Sequence, residues 1–432
     1  MPKSMDNKII AVVGIQWGDE GKGRMIDYLA QDADFVVRYQ GGNNAGHTVV
    51  NELGEFKLHL IPSGIFNPNV INVLGPGTIL DIQALSEEID NLISSGINVS
   101  NIRISDRATI CFPYHRQEDG YEEERLGKNA YGSTKRGIAP AYGERYLKKS
   151  IQIGELLYPE QLEKRLTETI EWKNLIFENV YKKDQKINLK EILEWTVNYG
   201  NKIKHYICDT SELLDTAAND KKKILFEAQL GALRDIFFGI YPFTTSSSVL
   251  SSYAYVGGGL FTKKIDSVIG VMKAFSTCVG AGPFVTEMEG EISDKLREIA
   301  FEYGASTGRP RRIGHFDAVA SRYGATVQGA NYISLTKLDS LSQQESLLIC
   351  TNYKYRDKLI NSFPINPVLE DSIPVYTEME GWNTDITECR DFDKLPKQAK
   401  EYVLKIEELV GYPIKYISVG PERDSIIIRE NI

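Results

Sequence analysis

The chain has 432 residues, enough to bury a large core, and its 42% apolar and 25% charged content is that of an ordinary soluble globular protein. A net charge of −9 argues against a general nucleic-acid binder, which carries a basic face, but leaves room for a small anion held by local lysines and arginines. Five scattered cysteines without CxxC spacing argue against a disulfide framework or a zinc site. No apolar run approaches the roughly 20 residues of a membrane span, so a cytoplasmic protein with no membrane partner is expected.

Residues Met1–Asn7 lead directly into Lys8–Gly14 (KIIAVVG), a β-branched apolar run that reads as a strand buried on both faces of a parallel sheet. Arg24–Ala30 continues with helical spacing. Phe35–Tyr39 is a second strand and Val70–Leu74 a third, followed by Gly75-Pro76-Gly77. From about Glu155 to Lys223 apolar residues recur at helical spacing, as in Leu189, Ile192, Leu193 and Val197. Strand patterns return at Lys223–Phe226, Ser267–Met272, Tyr332–Leu335, Ser346–Cys350 and Tyr416–Val419. Alternating units of this kind predict a doubly wound, mostly parallel α/β sheet related to P-loop NTPases, with ligands at the carboxyl ends of its strands. The expected organisation is one catalytic unit over 1–432, with sheet segments 8–100 and 222–432 and a mostly helical insertion at 101–221.

Between the first strand and its helix lies Gly14-Ile-Gln-Trp-Gly18-Asp19-Glu20-Gly21-Lys22-Gly23. Backbone N–H groups and a helix N-terminus at such a junction cradle phosphate, and Lys22 adds a point charge for β/γ oxygens. This is not the GxxxxGK[ST] loop: Gly23 replaces the hydroxyl that binds Mg²⁺, and a carboxylate, Asp19, lies inside the loop instead. A glycine-rich turn with surface charges is the bland alternative. The segment after the second strand, Gln40-Gly-Gly-Asn-Asn44-Ala-Gly46-His47-Thr48, tips the balance. Its glycines, amides and histidine do not serve packing, and His47 is suited to stabilise charge on a phosphoryl oxygen.

Together the two segments resemble adenylosuccinate synthetases, whose pattern includes WGDEGKG followed by GGxNAGHT. The resemblance continues through His59–Ile65, Gly137–Tyr142, Tyr241–Ser247, Val279–Phe284, Gly304–Arg312, Thr336–Asp339 and Ser418–Arg423. It implies ligation of L-aspartate to IMP with GTP and Mg²⁺, by phosphorylation of the purine O6 and displacement of phosphate by the aspartate amine. By the same resemblance Asp19 is the general base and a Mg²⁺ ligand with the carbonyl of Gly46, while His47 and Lys22 act on the transferred phosphoryl group. GTP is expected at Gly18, Glu20, Gly21, Lys22, Gly23, Gly46 and Thr48, with guanine read by Lys337 and Asp339 beside Ser418, Gly420 and Pro421. IMP is expected at Asn44, Thr134, Lys148, Gln229, Thr245 and Arg309, and aspartate at Thr307, Arg309 and Arg311, whose guanidinium forks clamp carboxylates. A homodimer with a shared site follows from the role of position Lys148.

Departures from the family pattern surround the nucleotide pocket. FEGAQG is here Phe226-Glu-Ala-Gln229-Leu230-Gly231, so Leu230 takes the place of the glutamine. A one-residue shift on extended backbone turns a side chain to the other face unless a bulge restores it. Phe237 and Phe238 replace an acidic and a histidine or tyrosine residue, Ser248–Tyr253 alters a small-residue tract, Cys278 replaces an arginine, and Lys148 replaces another. These changes raise a second reading, in which the same chemistry acts on another purine nucleotide such as GMP or dGMP. A nucleotide sensor without chemistry would lack Asp19 or His47, and a GTPase switch would need a hydroxyl at Gly23.

Overall fold

The first apolar run, Ile9–Gly14 (β1), is buried along its whole length because it lies inside the sheet. Its residues alternate between two cores: Ile9, Ala11 and Val13 face one, and Ile10 and Val12 face another shared with Met25, Ile26 and Leu29 of the following helix, Lys22–Leu29 (α1). The computed structural model describes residues 8–51, 53–304 and 308–430. Around β1 stand β2 (Phe35–Arg38), β3 (Ile71–Leu74), β4 (Ile102–Ser105), β5 (Ile207–Cys208), β6 (Ile224–Gly231), β7 (Ser267–Lys273), β8 (Tyr332–Thr336), β9 (Ile414–Ser418) and β10 (Ile426–Ile428). They form one ten-stranded sheet in the order β10-β9-β8-β7-β1-β6-β2-β3-β4-β5. Every neighbouring pair is parallel except β9 with β10. This is the doubly wound α/β class read from the sequence.

Two sheet strands, β4 and β5, fall within 101–221 and bracket helices Pro113–Leu126 (α2), Ile138–Tyr146 (α3), Pro159–Asn179 (α4) and Leu189–Ile203 (α5). Leu162, Leu166, Ile170 and Phe177 of α4 pack with Ile192 of α5, with Leu189 and Leu193 partly buried against them. Val197, the fourth member of the sequence stripe, is exposed. The run at Ser346–Cys350 is a strand, but it belongs elsewhere. As Ser346–Tyr355 it pairs with Phe316–Asp317, Lys358–Ile360 and Ile373–Glu380 in a separate sheet. Among the described residues no helix is long and apolar enough to cross a membrane.

One irregularity decides the geometry beside the phosphate loop. Val12 pairs with Glu227 and Gly14 with Gly231, so Ala228, Gln229 and Leu230 of β6 lie opposite the single residue Val13 of β1. Leu230 takes a positive φ of 64° to close this bulge.

Candidate active site

The loop after β1 is shaped by its own glutamate. Glu20 is buried, and its carboxylate accepts the N–H groups of Gln16 (3.0 Å) and Gly18 (2.9 Å) and the Lys22 ammonium (2.6 Å). Its carbonyl accepts the Thr336 hydroxyl at 2.7 Å, which ties the loop to the end of β8. Glu20, expected at GTP, is thus turned inward as the latch of the loop and the holder of Lys22. Asp19 sits at φ 58° between Gly18 and Glu20 and remains partly exposed. Gly21, at φ 91°, caps α1, so the helix N-terminus with Lys22 and Gly23 opens at the carboxyl edge of the sheet.

His47 begins the hairpin Gly54–Leu58/His47–Asn51 and packs on α1 so closely that a Cβ on Gly23 would lie 3.0 Å from its ring. Its Nδ1 is 3.3 Å from Nη1 of Arg38, the last residue of β2. A guanidinium only donates, so Nδ1 accepts and the ring proton resides on Nε2. Burial pushes the imidazole well below its ordinary pKa, and the charges of Arg38, His59 and Lys22 push it further. His47 is therefore a neutral Nε2–H donor. That atom is buried with no hydrogen-bond partner among the described residues, lying 3.6 Å from the Glu227 Oε1 that accepts the Ser63 hydroxyl, while Oε2 accepts the Ser63 N–H. Burial raises the Glu227 carboxyl, with Arg38 opposing.

The bulge turns Gln229 toward the Gly41–His47 segment. Its amide accepts from Gly42 N–H (3.0 Å) and donates to the carbonyls of Gly42 (2.9 Å) and Ala45 (3.1 Å). Gly41, at φ 81°, has to be glycine, because a Cβ there would stand 1.7 Å from the Gln229 oxygen. Gln229 thus holds the turn that carries Asn44, Gly46 and His47, and Leu230 lies against Gly18. The Asn44 side-chain oxygen is buried with no partner among the described residues.

Arg311 reaches Asp19 from the opposite side, with Nε 3.1 Å from Oδ2. The contact is an ion pair without hydrogen-bond alignment, because the same Nε has no acceptor in line among the described residues. Nη1 binds Glu302 at 2.5 Å. Burial opposes the Arg311 charge, but Asp19 and Glu302 outweigh it and raise the pKa. Arg309 is exposed on the same loop, and Thr307 lies outside the described residues.

At the end of β8, Lys337 (φ 63°) donates to the Ala300 carbonyl at 2.8 Å, and burial raises the Asp339 carboxyl against the pull of Lys337 and Arg24. The neighbouring strand β9 ends at Ser418, whose hydroxyl donates to Gly420 at 3.3 Å. Arg24 of α1 donates to the carbonyls of Glu422 (3.0 Å) and Ser425 (2.8 Å), which fastens the Ser418–Pro421 turn to the helix that opens the phosphate loop. Thr48 and Thr134 are exposed, and Thr245 is half-buried with its N–H on the Arg234 carbonyl. Lys148, exposed at φ 61°, lines a separate cavity of about 530 Å³ with Arg107, Arg145 and Arg165. None of that cavity's lining residues belongs to Gly14–Gly23 or to the loop carrying Arg309 and Arg311.

The adenylosuccinate synthetase family model matches residues 11–427. The chain belongs to the adenylosuccinate synthetase family. A relative from Pseudoalteromonas translucida named adenylosuccinate synthetase 2 is 49% identical, the match covering 97% of this chain and 99% of that one. The structure of a fully ligated adenylosuccinate synthetase from Plasmodium falciparum superposes with TM-score 0.92 at 36% identity, covering 98% and 100% of the two chains. Cyanophage S-2L succinoaminodeoxyadenylate synthetase, bound to dGMP and dATP, shares the fold at TM-score 0.62 and 19% identity, over 98% of this chain and 95% of its own. Adenylosuccinate synthetases are GTP-dependent ligases of purine biosynthesis, and this chain is an enzyme of that kind.

The family's missing arginine at Cys278 has a local counterpart. The Arg234 guanidinium lies 3.0 Å from the Cys278 sulfur and donates to the carbonyls of Phe243 and Val279, so a guanidinium stands beside position 278. Phe237 and Phe238 remain exposed, and nothing in the structure explains them. Arg38, Glu227, Lys273 and Glu302 were not expected as site residues. The available signal was charge inside or at the end of an apolar strand, as in Phe35-Val-Val-Arg38 and Ser267–Lys273.

Proposed function

We propose that this ligase takes IMP as acceptor and that Asp19, His47 and Arg311 are its reacting centre. Asp19 accepts the purine N1 proton, and the electrons released onto O6 form a bond to the γ-phosphorus of GTP while the bond to the β-phosphate oxygen breaks, giving GDP. The aspartate amine then attacks C6, and O6 departs with the phosphoryl group as inorganic phosphate. His47, neutral and protonated on Nε2, donates to the phosphoryl oxygens as charge develops there. Lys22, held by Glu20, supplies positive charge at the β/γ oxygens. Arg311, with Arg309 and Thr307, receives the carboxylates of aspartate, and its buried Nε, ion-paired with Asp19 but without an aligned acceptor, is available to donate.

The family is generally Mg²⁺-dependent, and the donor set fits that ion. Mg²⁺ takes hard oxygen ligands and uses one or two from the protein, with phosphates and waters completing the octahedron. The carboxylate of Asp19 and the carbonyl of Gly46 would hold it, and once bound it neutralises the β- and γ-phosphate charge. GTP would lie along the α1 N-terminus from Gly18–Gly23, Gly46 and Thr48 to a guanine read by Asp339 and Lys337 beside Ser418, Gly420 and Pro421. IMP would contact Asn44, Thr134, Thr245 and Arg309, with Gln229 shaping the loop beneath it and Lys148 reaching the nucleotide of a second protomer in a homodimer. A reducing cytoplasm suits the five free cysteines.

The observation that carries this reading is convergence: His47 packs on Gly23 while Arg311 meets Asp19 in the same loop. One observation favours a different acceptor, namely that the Gln229 amide is engaged with main chain and Leu230 stands where the family has glutamine. The 49% identity over nearly the full chain favours IMP. A coupled assay with GTP, aspartate and Mg²⁺ decides between them. Turnover with IMP and little with GMP or dGMP supports the assignment, and turnover with dGMP or GMP but none with IMP overturns it.

A further inference from the structure

Behind Arg311 lies a buried ion triad. Glu302, just past the helix Glu291–Ile299, is fully buried, and one of its carboxylate oxygens accepts from both Arg311 Nη1 (2.5 Å) and Lys273 Nζ (2.7 Å). Lys273 ends β7, is equally buried, and donates to the Thr277 hydroxyl at 2.7 Å. Its N–H is accepted by the Gln16 side chain at 3.0 Å, linking the triad to the root of the phosphate loop. The Arg311 N–H also donates to the Glu302 carbonyl at 2.9 Å, so Glu302 holds Arg311 at both backbone and guanidinium. Burial alone would raise the Glu302 carboxyl, but Lys273, Arg311 and Lys337 bring it below its ordinary value, and it is ionised at neutral pH.

The charges of the triad explain why a lysine is buried here. A carboxylate paired with Arg311 alone would cancel the arginine and leave nothing for a substrate anion. Two cations around one carboxylate leave a surplus of one positive charge, which Arg311 carries out of the buried triad to the ion pair it makes with Asp19. Unpaired, any of these buried charges would be costly, which is why the three occur as a set. We propose that Glu302 is a positioning residue for the aspartate subsite, fixing the plane of the Arg311 guanidinium while Lys273 offsets the Glu302 charge, so that Arg311 meets the substrate carboxylate pre-oriented. This rests on Arg311 being the aspartate-binding arginine.

The test is steady-state kinetics of the full-length enzyme with each substrate varied in turn, for Glu302→Gln, Arg311→Lys and the Glu302→Gln/Arg311→Lys pair. Glu302→Gln is expected to raise the KM for aspartate at least tenfold while the KM values for IMP and GTP stay within about twofold and kcat within about threefold. Adding Glu302→Gln to Arg311→Lys should cost nothing more, because Glu302 acts through the guanidinium. Glu302→Gln strands a buried ammonium, so the charge-balanced Lys273→Met/Glu302→Gln variant is measured alongside, and its aspartate KM should also rise tenfold without change in the other two. An unchanged aspartate KM, an equal rise in all three KM values, or additive losses in the pair would overturn the positioning role. If Arg311→Lys itself leaves the aspartate KM unchanged, the assignment of Arg311 fails instead, and the two failures are thereby distinguished.

Discussion

Replacing Gln229 by leucine separates two roles that a glutamine at this position can have. Its amide makes three hydrogen bonds to main-chain groups at Gly42 and Ala45, in a buried site directly under the turn that carries Asn44, Gly46 and His47. Each such bond is worth about 1 kcal/mol net, so loss of all three removes roughly 3 kcal/mol of preference for the ordered turn. At about 1.4 kcal/mol per tenfold, that is roughly two orders of magnitude in the population of the competent loop. On the proposed assignment the loop carries acceptor contacts and His47, so the loss should appear in kcat/KM for IMP. Amide hydrogen exchange over residues 42–47 should accelerate in parallel, while the ratio of IMP to GMP turnover stays the same. A variant with unchanged exchange and a shifted nucleotide ratio would mean that Gln229 reads the base and that the clamp reasoning is wrong.

His47→Ala should lower kcat by about 10²–10³-fold, the loss typical of one donor to developing charge. Arg38→Met should lower kcat without greatly moving KM for GTP, because it frees the ring to adopt the other tautomer; an unaffected kcat would refute the tautomer assignment. In a homodimer sharing its sites, a mixture of Asp19→Asn and Lys148→Ala chains should regain activity that neither has alone, since one heterodimer site then combines an intact Asp19 with an intact Lys148. Absence of recovery after subunit exchange would remove Lys148 from the partner's site. Asp317 is fully buried, accepts from Tyr353 (2.6 Å) and Ala320 N–H (2.9 Å), and is raised by burial from 3.8 to about 6. The folded state therefore binds this proton more tightly than the unfolded state, and the stability it contributes is complete below about pH 4 and is lost by about pH 6. Asp317→Asn keeps the helix cap and should gain about 3 kcal/mol on the wild type as pH rises through that window, measured by denaturant unfolding. A difference that does not vary with pH would contradict it.

What was legible in the sequence follows from where physical constraints are local. Ile9–Gly14 announces an interior strand because both its faces pack, and Gly21, at φ 91°, and Gly23, packed against His47, mark a loop-to-helix turn suited to glycine. β5, a strand of two residues, has no periodicity to detect, and the Ser346 run carries the same apolar signal whichever sheet it joins. The fate of Gln229 was illegible for a stricter reason. The bulge at Ala228–Leu230 depends on the register between β1 and β6, which are more than two hundred residues apart in the chain. The proton position on His47 likewise depends on Arg38, and the setting of Arg311 depends on Glu302, which Lys273 holds in turn, contacts that no motif records.

The central claim is that the phosphoryl group is transferred to O6 of the purine at the site built by Asp19 and His47. A single turnover with IMP carrying ¹⁸O at position 6, with GTP, aspartate and Mg²⁺, tests it most directly by mass analysis of the released phosphate. The account predicts one ¹⁸O atom in each inorganic phosphate formed with adenylosuccinate, and no such transfer with Asp19→Asn. Unlabelled phosphate accompanying adenylosuccinate would show that GTP cleavage and displacement of O6 are separate events, and would contradict the account.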